Sequence, residues 1–137
     1  MAAMNWLFKE EPSSYSYEAL EKDGGTLWSG VKNPLAQKHL RSVRKGDRIL
    51  YYHTGAQKAV VGVARAVDDA RADPKDPAGK RAVVQIAPER PLHRPVSLAE
   101  IKANGTFATF LLVRLPRLSV MPVSDREWTE IERLSRA

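Results

Sequence analysis

The side chains able to do chemistry in this 137-residue chain gather in a few short segments. Lys9-Glu10-Glu11-Pro12 puts two carboxylates and an ammonium at the end of an apolar run. Paired carboxylates can serve as general acid and base. Neighbours in an extended segment point to opposite faces, however, so Glu10 and Glu11 cannot flank one scissile bond. A polar strand end, with Lys9 free to bind, explains the cluster better. His53 follows Tyr51 and Tyr52 and has the chemistry of a base, a ligand or a hydrogen-bond partner. It is equally well read as a satisfied strand-end histidine. His39 and His93 lack the spacing of a zinc motif, and the chain has no cysteine, so no metal site or cofactor is expected. No G-x-S-x-G elbow, Walker motif or dinucleotide fingerprint is present.

Recognition chemistry is better represented. Trp28-Ser29-Gly30-Val31-Lys32-Asn33 sets an indole near a glycine, a cation and an amide. Such a set suits a base, which stacks on the ring, offers its edge to an amide and leaves its phosphate to a cation. Trp6 is better explained as core. Lys32, Lys38, Arg41, Arg44, Lys45 and Arg48 follow closely, and Lys38, Arg41 and Lys45 recur at helical steps that make one positive face. A solvated helix face would look the same.

These groups must be positioned by the elements around them. Met4–Lys9 reads as a strand, and Ser16 caps a helix through Asp23 that Gly24-Gly25 ends. Asn33-Pro34 opens a helix whose apolar stripe is Leu35, Ala36, Leu40 and Val43. Arg48–Thr54, Ala59–Val67 and Ala82–Ala87 read as strands, with an exposed loop from Asp68 to Lys80. Pro88, Pro91 and Pro95 stiffen the exit from the third of these. Capping boxes at Ser97/Glu100 and Ser124/Glu127 open two more helices, the second with Trp128, Ile131 and Leu134 turned to the core. Leu118–Met121 is a short strand between them. Short strands mixed with short helices predict an α+β domain on a curved or barrel-like sheet.

Length fits one domain over residues 1–137, and 43% hydrophobic with 28% charged residues is ordinary globular composition. The N-terminus has no basic region followed by an apolar stretch, and no apolar run approaches membrane-spanning length. A cytoplasmic monomer is expected. The net charge of +6 favours polyanionic partners.

Four segments together resemble a known family, the EVE domains. Trp6-Leu7-Phe8-Lys9-Glu10-Glu11-Pro12 resembles their W-L-x-K-S-E-P opening, and Trp28–Asn33 resembles W-x-G-V-R-N. Tyr51-Tyr52-His53-Thr54 is similar to F-Y-H-S, and Arg117–Val123 to R-L-S-V-x-P-V. They occur in the family's order across nearly the whole chain. The resemblance implies a PUA-like mixed pseudo-barrel with peripheral short helices, related to YTH and ASCH domains. It implies a non-catalytic reader of modified bases in DNA or RNA, with Lys9, Trp28, Asn33, Tyr52 and His53 lining the pocket. Glu10 and Glu11 would stand at its rim and Arg114 would contribute to the same site. Two positions depart from the pattern: Glu10 replaces a common serine, and Pro34-Leu35 replaces an aromatic followed by glutamine.

The residues also leave other functions open: an enzyme using Glu10 or Glu11 with His53, a protein-interaction module docking its basic helix on an acidic partner, or a sensor of free bases.

Overall fold

A computed structural model describes residues 3–137. Strand β1 (Asn5–Glu10) lies inside the sheet, parallel to β3 (Arg48–His53) and antiparallel to β7 (Val120–Val123). β3 continues antiparallel into β4 (Ala59–Ala66), β4 pairs with β6 (Ala82–Ser97), and β6 pairs with β2 (Thr26–Trp28). The two-residue β5 (Arg71–Ala72) adds to β6. The order β2-β6-β4-β3-β1-β7 curls into a half-barrel, and the architecture is the expected α+β one. Leu7, Phe8, Leu50 and Tyr51 are fully buried although neighbours point to opposite faces, so β1 and β3 are covered on both sides.

The largest correction concerns β6. It runs for 16 residues straight through Pro88, Pro91 and Pro95, where the sequence predicts its exit. Its pairing with β2 stops at Ile86, so beyond that residue one edge carries no strand and asks for no N–H donors. On the paired edge the register with β4 shifts twice, between Val60 and Gly62 and between Val63 and Ala64. Such bulges bend a strand and tolerate proline. They help the sheet curl. Gly62 sits at this bend because a Cβ there would lie 2.5 Å from the ring of Tyr17. That ring's hydroxyl donates to Val63 O at 2.7 Å.

Helix α1 (Pro12–Tyr15) is one turn that no periodicity betrays. α2 (Tyr17–Asp23) is capped by Ser16 and ended by left-handed Gly24, as expected. α3 (Pro34–Arg41) has Asn33 as its cap, and α4 (Leu98–Lys102) and α6 (Asp125–Arg136) carry the two capping boxes. In α6 Trp128 and Ile131 are buried and Leu134 packs at the core's margin. A 3-10 turn (Gly105–Phe107) and α5 (Leu111–Arg114) fill the stretch between α4 and β7. β7 begins two residues later than the sequence predicts, and Pro122 is tolerated because β7 ends the sheet.

Asp47 ties these parts together. Its buried carboxylate accepts from Met4 N at 2.9 Å, Trp6 Nε1 at 2.9 Å and Arg44 N at 2.9 Å. Trp6 is thus a core residue whose polar edge is satisfied.

Candidate functional site

The parallel register aligns Phe8 with Tyr51, Lys9 with Tyr52 and Glu10 with His53. Alternation then divides this end of the sheet into two faces. Phe8, Glu10, Tyr51 and His53 share one, and Trp28 packs there, 5.3 Å from Phe8 and 5.5 Å from Tyr51 between ring centres. Trp28 is 6% exposed, so its body is core and only its margin is free. That margin, with Glu10, Tyr15, Thr26, Leu27 and Ser29, lines a hollow of about 140 Å³. This is space for about five waters, or one flat ring, whereas whole-ligand clefts usually start near 300 Å³. One carboxylate oxygen of Glu10 accepts from Glu11 N at 3.0 Å, which leaves the other to accept elsewhere.

His53 belongs to this face but uses both ring nitrogens internally. Nε2 accepts from Tyr17 N at 3.0 Å, and Nδ1 lies 2.7 Å from Gln57 Oε1. The backbone donor fixes Nε2 as acceptor, so Nδ1 carries the proton and donates to Gln57. Tyr51 donates to Tyr15 O at 2.6 Å, and burial raises its phenol's pKa. These bonds anchor α1 and α2 beside the hollow.

Lys9 and Tyr52 occupy the opposite face. The ammonium stands 5.6 Å from the centre of the Tyr52 ring and donates to Pro116 O at 2.8 Å. Burial holds Lys9 below the usual lysine pKa and pushes Tyr52 up to about 12. Pro116 forms one wall of a second groove, about 320 Å³, with Asn33, Leu35, Leu115, Arg117 and Leu118. Asn33 Oδ1 caps α3 by accepting from Ala36 N at 3.0 Å, so its amide N–H groups are what it can offer there. Arg114 is exposed and makes one long bond, 3.4 Å, to Ala108 O.

Of the residues the sequence assigns to a base pocket and its rim, the structure thus brings Glu10 and Trp28 together in one hollow, with His53 buttressing it. Lys9 and Tyr52 lie back to back with that hollow, and Asn33 lies in the neighbouring groove.

The basic residues separate as well. Lys32, Lys38 and Lys45 are exposed. Arg48 turns away from them, its guanidinium 4.3 Å from the centre of the Trp128 ring. Arg41 and Arg44 join Arg71, Lys80 and Arg81 around a cleft of about 430 Å³. Those last three escape sequence reasoning because they arrive from a loop some 30 to 40 residues away, with no periodicity to flag them. Among the described residues no group of His, Asp and Glu side chains has metal-site geometry. No helix among them is long and apolar enough to cross a membrane.

An NMR structure of a protein from Rhodopseudomonas palustris superposes with a TM-score of 0.93 at 38% identity, covering 98% of this chain and 94% of its own. Human thymocyte nuclear protein 1, solved in complex with DNA containing 5-methylcytosine, superposes with a TM-score of 0.90 at 24% identity, covering 98% and 99%. Chicken thymocyte nuclear protein 1 is 27% identical over 158 residues, which cover 90% of this chain and 65% of the chicken protein. The half-barrel is the PUA-like fold of these proteins. The profile of the EVE domain matches residues 4–134, and the chain belongs to the EVE domain family.

Proposed function

We propose that this chain binds nucleic acid and takes a modified base, turned out of its stack, into the hollow between Glu10 and Trp28, without catalysing a reaction on it. The observation that carries this reading is the pairing of a free carboxylate oxygen with an indole margin in a ring-sized space. A carboxylate accepts from the exocyclic amine of cytosine, and the indole offers apolar contact to the base and its methyl group. The human relative's complex with 5-methylcytosine DNA supports the same ligand class. Lys9 and Tyr52 support the hollow from behind. The commitment of both His53 nitrogens argues against using it as a catalytic base.

Labelled oligonucleotides carrying cytosine, 5-methylcytosine or N6-methyladenine, as DNA and as RNA, test the reading by fluorescence titration. One modified base should bind about 5- to 150-fold tighter than its parent, the range of roughly 1–3 kcal/mol expected of one base contact. Glu10→Ala should remove most of that preference, and Trp28→Phe should reduce it while leaving the fold intact. Equal affinities of the wild type for all these oligonucleotides would sink the base-reading proposal.

A further inference from the structure

The cleft at the other end of α3 is built differently from the hollow. Arg41, Arg44, Arg71, Lys80 and Arg81 surround it, with Asp69 as its one carboxylate. Its frame is fixed by hydrogen bonds. Arg41 Nη2 donates to Lys80 O at 3.0 Å, and Arg44 Nη1 donates to Arg41 O at 2.8 Å and Val43 O at 3.0 Å. Opposite them, Asp76 accepts from Lys80 N at 2.9 Å and Arg81 N at 2.8 Å with one oxygen and from Ala78 N at 3.2 Å with the other. This knot, together with the pairing of Arg71 to Val83, holds two basic walls apart. Asp69 is partly occupied in accepting from Lys45 N at 2.8 Å. Among the described residues, no hydrogen bond or salt bridge engages the side chains of Arg71, Lys80 or Arg81. The four salt bridges use Arg90, Arg94, Arg133 and Arg136 instead.

Asp76 lies close enough to Arg81 for their charges to interact, so the five cations have two carboxylates near them, and the positive charge left over favours an anion. Guanidinium forks match phosphate oxygens in geometry as well as charge. α3 joins this cleft to the groove at Asn33, and its eight residues span roughly 12 Å. Toward the hollow the path is shorter: Ala82 in the cleft wall stands two residues along β6 from Val84, the partner of Trp28, roughly 7 Å or about two axial rises of B-form DNA. We infer that the Arg41–Arg44–Arg71–Lys80–Arg81 cleft is a phosphodiester-binding site that grips the backbone of the nucleic-acid strand a few nucleotides from the inserted base. The inference rests on the nucleic-acid reading above and adds a second, sequence-independent contact to it.

The test compares full-length wild type, Arg71→Gln/Arg81→Gln, and a control with the same charge change outside the cleft lining, Lys102→Gln/Arg126→Gln. Each is titrated with modified and unmodified oligonucleotides from 50 to 300 mM salt, with inorganic phosphate as competitor in a parallel series. The cleft variant should bind both oligonucleotides about tenfold more weakly at low salt. Its plot of log affinity against log salt should be shallower by about two, with the preference for the modified base unchanged. The control should lose less than threefold. Unaltered affinity and slope in the cleft variant overturn the inference while leaving the base reading intact. So does millimolar inorganic phosphate that occupies the cleft without displacing the oligonucleotide, because the site then serves a free anion. Weakened binding with no base preference in any protein sustains the cleft and removes the base pocket. Failure of the wild type to bind any oligonucleotide overturns both.

Discussion

Two regions of this molecule use arginine in opposite ways. Around α6 and the far end of β6, Arg90 pairs with Glu132, Arg94 with Glu100 and Arg133 with Glu130, so charge there is spent inside the protein. Around the C-terminal end of α3, arginines bond to backbone carbonyls, which position the guanidinium groups without neutralising them. Net charge therefore says little until the partners of each cation are known. A guanidinium with a carboxylate beside it presents a weak field. One held by a carbonyl keeps its whole charge for a ligand.

Reversing one charge in the cleft should have the largest effect. Lys80→Glu places a carboxylate between Arg41 and Arg81, and oligonucleotide affinity should fall about 100-fold at low salt. Thermal unfolding should barely move, because the backbone of Lys80 stays tied at both its N–H and its carbonyl. Asp76→Ala changes no cation in the cleft lining but unties the knot that holds Lys80 and Arg81. It should weaken binding about fivefold, through lost order and against the gain from removing a negative charge; tighter binding would show that charge alone governs the cleft. On the other face, Arg94→Gln should leave binding unchanged and lower Tm slightly, and less so at high salt.

That same face sets the acid response. Arg94 holds the Glu100 carboxyl at about 2, and Arg133 with Asn104 holds Glu130 at about 2. Both lie below the ordinary glutamate value, so the stabilisation they give is complete above about pH 4.5 and drains away as pH falls toward 2. Denaturant melts from pH 6 to 2 should show this loss, and Arg94→Gln should make the slope shallower in that window. The smallness of the effect follows from exposure of both pairs.

Much of the fold was legible along the chain because its signals are local. Ser16, Asn33, Ser97 and Ser124 each cap a helix with the next few residues, and Gly24 must adopt a left-handed turn where it stands. Pairing across the sheet is not local, which is why β6 is read as ending at Pro88. A proline's tolerance depends on which strand edge is open, and that is a property of the neighbours. The one-turn helices α1 and α5 are too short for a period to appear.

The candidate site divides in the same way. Trp28 is a residue type suited to reading a base, and the family-like segments name it from sequence alone, whereas they put Glu10 only at the rim, where it replaces a common serine. Only the register of β1 with β3 decides that Glu10 meets the Trp28 side while Lys9 turns to Tyr52. His53 was as plausible a ligand as a support until its two nitrogens acquired partners from α2 and the β3–β4 turn.

Caps, turns, the apolar runs that become the core and the family can all be read along the chain, since each is carried by residues near one another or in a fixed order. Which charges are quenched and which remain free follows from the folded arrangement. The reason is that an electrostatic field depends on distance in space, and residues such as Arg41 and Arg81 become neighbours only when the chain folds.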